Sequence, residues 1–213
     1  KIELGNFGIL LTFLCVIGFT NAINFSDGLD GLASGYALNC ILSIITFSYF
    51  NSNFSNLEPL IFLFFSISLF IFFNFGLIFS KIFLGDSGST SIGFILACYL
   101  VLFTMPDNRH FHPILTLWAP PIPVLDFFSV FLTRLLNKKN PFKPDRLHIH
   151  YLLIKKGMSN NIITLSLVFC SIFMSLLGLL FFYIFGAIHS ALFFLFIFIM
   201  YYLFCFYLKK ITI

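Results

Sequence analysis

The stretch Asn21–Gly35, NAINFSDGLDGLASG, decides how this chain is read. Asn21, Asn24, Asp27 and Asp30 recur every three residues, and Gly28 and Gly31 each follow an aspartate. The runs on either side, 7–24 and 32–50, are apolar enough to cross a bilayer. Carboxylates at the border of hydrocarbon are costly and usually mark an ion, substrate or catalytic site. A spacing of three on a helical path puts side chains on one face, and Asp-Gly pairs favour tight turns and close approach of a ligand. Taken alone, the stretch reads equally as a solvated turn between two helices.

Composition supports a membrane setting. Of 213 residues, 60% are hydrophobic and 9% charged, with a mean hydropathy of +1.03; a soluble domain carries about 25% charged residues. A spanning helix needs about 20 apolar residues, and seven segments qualify: 7–24, 32–50, 58–79, 89–105, 113–134, 162–183 and 187–208. The expected fold is all-α: a polytopic transmembrane helical bundle of about seven spans, forming a single membrane domain over residues 1–213. Pro113, Pro120, Pro121 and Pro123 predict a kinked or broken fifth span, which neighbouring helices can accommodate. No internal repeat, soluble domain or secretory signal peptide is recognised. Cys15, Cys40, Cys98, Cys170 and Cys205 lie in apolar runs without CxxC spacing and read as buried small hydrophobes.

Charge sets the orientation. With seven spans, the loops at 25–31, 80–88 and 135–161 share a side with the C-terminus. That side holds Lys81, Arg134, Lys138, Lys139, Lys143, Arg146, Lys155, Lys156, Lys209 and Lys210, ten of the twelve basic residues. The positive-inside rule makes it cytoplasmic. His110, His112 and His189 fall on or near the opposite side and read as interfacial side chains rather than ligands.

Two further polar stretches fall on the basic side. In Phe83–Gly93, FLGDSGSTSIG, Asp86 stands between Gly85 and Gly88 just before the fourth span. Backbone amides at a helix start make an anion site, and one hard carboxylate beside it suits a Mg²⁺ bridging phosphates. The alternative is an ordinary helix start capped by Asp86 or Ser87. A protease nucleophile is excluded, because Ser87 lies between membrane helices without a His and Asp partner in a soluble β-fold. The third stretch, Asn137–Gly157, is NKKNPFKPDRLHIHYLLIKKG. Pro141 and Pro144 oppose a regular helix at its start. Its basic residues suit anionic lipid head groups, while Arg146 with His148 and His150 suits phosphate oxygens or, less well, a metal. Carboxylates and amides in two loops facing a cationic third could hold Mg²⁺ and a polyphosphate, with a lipid tail left in the bilayer. Phosphoryl transfer is mostly positioning and charge neutralisation.

These three stretches, in this order, resemble the cytoplasmic signatures of the polyprenyl-phosphate N-acetylhexosamine-1-phosphate transferases, glycosyltransferase family 4. The Pro-Asp-Arg-x-His-Ile-His form, Pro144–His150, is similar to the N-acetylglucosamine-1-phosphate branch. The resemblance implies transfer of an N-acetylhexosamine-1-phosphate, N-acetylglucosamine-1-phosphate by preference, from a UDP-sugar to undecaprenyl phosphate with release of UMP. This would be a first membrane step in cell-surface glycan synthesis at the bacterial inner membrane. It implies Mg²⁺, with Mn²⁺ as the alternative, held by Asp86 and Asn24. Asn24 and Asp27 would line the metal-diphosphate site, with Asn21 and Asp30 supporting it or reaching the nucleotide. Phe83 would stack on uracil, and Arg146, His148 and His150 would hold the diphosphate and sugar-phosphate. A homodimer is left open and no nucleic-acid partner is expected. Two features depart from the family pattern. Tyr151 stands where relatives often have another His, and no aspartate-rich DDxxD-type motif occurs in an earlier loop. The expectation is therefore a C-terminal portion of a longer family fold, or else a truncated, inactive protein that binds nucleotide-sugar or lipid phosphate.

Overall fold

The computed structural model describes residues 6–77, 80–138, 140 and 146–212. The regular structure of the described residues is all-helical, with seven α-helices: α1 Asn6–Phe25, α2 Leu32–Phe50, α3 Glu58–Asn74, α4 Gly85–Leu102, α5 Pro121–Leu136, α6 Ile149–Lys155 and α7 Asn160–Thr212. Four of them, α1, α2, α4 and α7, are long and apolar enough to cross a membrane, and α3 is apolar but shorter. Most of α2 is buried, whereas α1 carries exposed Phe7, Leu10, Phe13 and Leu14. Outward-facing apolar side chains are what a lipid solvent permits. The five cysteines are unpaired; Cys40 and Cys205 are buried, but Cys15, Cys98 and Cys170 sit on outer faces, where lipid accepts a thiol as readily as a core does.

The third segment is shorter than expected, because α3 stops at Asn74. Gly76, at φ 66°, donates its N–H to Phe73 O (3.0 Å), and Leu77 donates to Phe72 O (3.0 Å). That paired closure satisfies the last carbonyls through a left-handed glycine and ends the helix despite the apolar run beyond it. At the other extreme, α7 is helical over 53 residues but breaks at Gly186 (φ 81°, ψ −179°). Phe181 stacks on Phe193 with centroids 4.3 Å apart. In a straight helix a separation of twelve residues is about 18 Å. The chain therefore reverses at Gly186, and residues 160–185 and 187–212 form the two arms of a hairpin.

The proline-bearing segment divides into a 3-10 helix, Pro113–Trp118, and α5. Pro123 has no N–H for the carbonyl four residues back, that of Ala119. Side chains supply the donors instead: Asn39 Nδ2 (3.2 Å) and Ser43 Oγ (3.1 Å) from α2, and Ser175 Oγ (3.1 Å) from α7. Asn39 also reaches Ser171 Oγ at 2.9 Å. Beside this knot the fully buried Trp118 donates Nε1–H to Ser190 Oγ (3.0 Å) and packs against Phe193 and Phe194 on the second arm of α7, while its indole ring lies against Gly178 on the first.

The end of the bundle opposite the basic loops is closed by His110, which is fully buried rather than interfacial. The chain after α4 folds back, so that His110 stacks on Phe103 at 3.7 Å and its ring nitrogens meet Ser48 and Ser55. His112 accepts the Ile114 N–H at the 3-10 start, and His189 bonds the Phe185 carbonyl.

Gly178 is the position where Trp118 meets α7: a Cβ there would lie 2.1 Å from the indole ring. Gly178→Ala is expected to destabilise the bundle by about 1–3 kcal/mol through overpacking. Thermal unfolding in detergent reads this directly, and an unchanged melting temperature would contradict the packing described.

Candidate functional site

Polar groups gather at the basic end. Helix α1 stops at Phe25, and Ser26 and Asp27 donate their N–H groups to Ile23 O (3.1 Å) and Asn24 O (3.0 Å) in a tightened last turn. Asn21 and Asn24 therefore stand on α1, while Asp27 and Asp30 stand on the turn after it. The single helical face expected from the spacing of three does not form, because Asp-Gly twice in succession favours a turn over a helix. At φ 74° Gly31 begins α2 and donates its N–H to Asn74 Oδ1 at 2.6 Å. Asn74 Nδ2 in turn donates to Ile82 O at 2.8 Å. One amide side chain thus fastens the Asp-Gly turn to the loop that carries Lys81, Phe83 and Asp86.

Between turn and loop lies an open cavity of about 420 Å³, walled by Asp27, Gly28, Asp30, Lys81, Phe83 and Asp86, with Leu29, Asn74, Leu84, Gly85 and Asn160. Asp86 sits in the first turn of α4, and Gly85 before it has φ 69°. No side-chain cap bonds the start of α4, so the capping alternative for this stretch is not realised by its N-cap residue, Leu84. Asn24 bonds the same turn through Nδ2, to Ser89 Oγ (2.9 Å) and Thr90 Oγ1 (3.2 Å). Lys81 Nζ pairs with Asp30 Oδ2 at 2.5 Å and lies 5.0 Å over the exposed Phe83 ring. The Asp27 carboxyl is pushed up to about 6, first by its partial burial, then by the neighbouring Asp86 charge and, after an opposing Gly85 N–H bond, by Asp30. A wall that raises its own carboxylate in this way is a wall that a cation relieves.

His150 backs this cavity against Gly28. His150 is 2% exposed, and its Nε2 lies where a Gly28 Cβ would be, 2.4 Å away. Only glycine at 28 leaves room for the ring, which accounts for the Asp-Gly sequence by close approach. His150 Nε2 has no hydrogen-bond partner among the described residues. Burial, reinforced by His148 against the opposing Asp126, lowers the His150 imidazole to about 4, so it is neutral at physiological pH. His148, 6.0 Å away with its ring nearly parallel, holds Asp126 Oδ2 through Nδ1 at 2.8 Å.

Asp27, Asp30, Phe83 and Asp86 are brought together in one wall, with Asn24 tied to it and His150 behind it. Asn21 instead bonds back to Ile17 O on its own helix (2.9 Å), and Arg146 is exposed and outside the cavity wall. The Pro141–Asp145 part of the third stretch lies outside the described residues. Sequence reasoning missed Lys81, Asn74 and Asp126. The signal for Asp126 was present: a carboxylate within an apolar span is rarely idle. Among the described residues no three His, Cys, Asp or Glu side chains form a ready-made metal cage. Asp27 and Asp86 instead present two carboxylates beside open volume, hard oxygen donors that could hold a divalent cation together with water and phosphate oxygens.

Fold and site together define a polytopic helical membrane protein with an open cavity walled by carboxylates at its basic end. Residues 1–104 match the model of glycosyl transferase family 4. The chain is similar to proteins named undecaprenyl-phosphate alpha-N-acetylglucosaminyl 1-phosphate transferase. In Escherichia coli (strain K12) the identity is 32% over 163 residues, 76% of this chain and 44% of that protein. In Yersinia pestis it is 33% over 165 residues, 76% and 45%. In Haemophilus influenzae it is 30% over 183 residues, 84% and 52%. The chain spans about half the length of these relatives.

The raised Asp27 carboxyl has a stability consequence. Its folded-state value of about 6 exceeds the ordinary 3.8, so the folded protein binds the extra proton between those values. Stability from this group is present at the acid end and is lost as pH rises through about 6. Asp27→Asn is therefore expected to raise the melting temperature above pH 6 and to have little effect near 3.8. A gain of the same size at both ends would contradict the carboxylate crowding.

Proposed function

We propose that this chain forms the nucleotide-sugar and lipid-phosphate site of an enzyme that moves N-acetylglucosamine-1-phosphate from a UDP-sugar to undecaprenyl phosphate. The observation that carries the proposal is the cavity in which Asp27, Asp30 and Asp86 meet Lys81 and Phe83. The names of the relatives supply the acceptor lipid and the sugar phosphate. The same reading assigns the basic loops to the cytoplasmic side of a bacterial inner membrane, since their Lys and Arg residues follow the positive-inside rule.

In this reading an oxygen of the lipid phosphate attacks the β-phosphorus of the UDP-sugar. The new P–O bond forms as the bond from that phosphorus to the bridging oxygen breaks, and UMP departs with the electron pair. Mg²⁺ would be held by Asp86 and Asp27, with Asn24 at the rim, and when bound it supplies charge neutralisation of the diphosphate. The remaining work belongs to the chain. Phe83 offers an exposed ring for the uracil, on the face not covered by Lys81. The Lys81 ammonium, already paired with Asp30, is within reach of a phosphate that displaces that carboxylate. His150 Nε2, buried and unpartnered, is a neutral group available to the sugar-phosphate once Gly28 and its turn adjust. Arg146, exposed on the entry to α6, suits the outer phosphate oxygens.

Transfer of labelled N-acetylglucosamine-1-phosphate to undecaprenyl phosphate, measured in membranes carrying the protein, tests the reading. Asp86→Asn is expected to lower the Mg²⁺-dependent rate at least about 100-fold, the scale of losing one charge-stabilising group. A rate near that of the parent would remove Asp86 from the metal site. Arg146→Ala is expected to weaken UDP-sugar binding about tenfold, roughly one charge-assisted hydrogen bond. An unchanged dissociation constant would exclude Arg146 from the phosphate contacts.

A further inference from the structure

One buried carboxylate outside the three signature stretches controls the geometry of the third. Asp126 lies in α5, two residues beyond its first turn and only 6% exposed, flanked by Leu125 and Phe127. Its Oδ2 accepts from His148 Nδ1 at 2.8 Å. Its Oδ1 accepts the Ile149 backbone N–H at 3.0 Å and the Tyr201 hydroxyl at 2.9 Å. Three donors from α6 and its entry and from the second arm of α7 converge on one side chain.

The chemistry of these contacts is directional. A carboxylate accepts and does not donate, so the short contact to Nδ1 puts the proton of a neutral His148 on Nδ1 and leaves Nε2 as the free lone pair. The bond to the Ile149 amide satisfies one of the open N–H groups at the start of α6. Because the same residue fixes the His148 ring and the first amide of α6, it also fixes the rotation of α6 that aims His150 at Gly28. Tyr201 adds a third donor and keeps the carboxylate from swinging away. A purely apolar residue at 126 would pack a span equally well; it would set neither tautomer nor helix register.

We infer that Asp126 is a positioning residue: it selects the Nδ1–H tautomer of His148 and the register of the His148–His150 pair, so that His148 presents an unprotonated Nε2 to the phosphoryl group. The inference rests on the proposed function in taking the histidine pair as substrate-facing. Its structural half does not depend on turnover.

The test is ¹⁵N NMR of histidine-labelled protein in detergent micelles, with His148 assigned among the five histidines by comparison with His148→Gln. The parent is expected to show a protonated Nδ1 on His148. Asp126→Asn, whose amide nitrogen donates toward the ring, is expected to move the proton to Nε2, while Asp126→Glu keeps it on Nδ1. In the transfer assay Asp126→Asn is expected to lower kcat about 100-fold, the scale of a misplaced catalytic group, and Asp126→Glu to recover a substantial part. UDP-sugar KM should change far less than kcat. A parent His148 protonated on Nε2 overturns the inference, and that spectrum decides even where Asp126→Asn does not fold. An Asp126→Asn protein that keeps the Nδ1–H tautomer, or loses kcat no more than Asp126→Glu, also overturns it. A parent with the expected tautomer but no transfer would count against the proposed function and leave the tautomer assignment standing.

Discussion

A carbonyl oxygen without a backbone donor governs much of this fold. Within a bilayer no water relieves an unpaired peptide group, and Pro123 leaves the fully buried Ala119 carbonyl without a backbone donor. The structure answers with Asn39, Ser43 and Ser175, drawn from two other helices. That solution fixes where the 3-10 segment ends and where α5 begins. It also explains why polar residues recur on the inner faces of α2 and α7, which their apolar composition alone would not predict.

The position of α5 then propagates to the cavity. With α5 anchored at Ala119, Asp126 falls level with the entry to α6 and with Tyr201. The contacts of Asp126 orient His148 and α6, and α6 carries His150 against Gly28. Gly28 belongs to the wall that also holds Asp27 and Asp86. A break forced by proline and a carboxylate wall near the surface are thus linked by a short series of contacts. Buried carboxylates of this kind contribute little net stability, since desolvation offsets their bonds; what they contribute here is a defined geometry.

Crowding at the cavity follows the same logic from the opposite direction. Asp27, Asp30 and Asp86 are held together by backbone geometry, through the Gly31–Asn74–Ile82 link, and not by mutual attraction. Asp30 is relieved by Lys81, while Asp27 remains partly buried beside Asp86 and is raised to about 6. A site that is strained when its ligands are absent is a common arrangement for binding cations and phosphates. Similarity to glycosyl transferase family 4 over residues 1–104 fits this arrangement, because the transfer proposed for the site is chiefly the placing of charges.

The helical membrane class, the existence of each apolar segment and the three polar stretches were determined by the sequence alone. Hydropathy over about 20 residues and the distribution of Lys and Arg are local quantities, and they survive any packing arrangement. Asp27, Asp30, Phe83 and Asp86 were legible because each stands beside glycine or in a polar interruption of an apolar run. Tertiary structure decided the rest. The ends of α3 and α7 depend on the left-handed glycines at 76 and 186. Asn21 turned to its own helix because Asp-Gly ended α1 one turn later. Asp126 meets His148 and Tyr201 across 22 and 75 residues of chain, a distance over which no pattern of neighbours carries information. Such contacts exist only once the bilayer's demand for paired polar groups has folded the helices against one another.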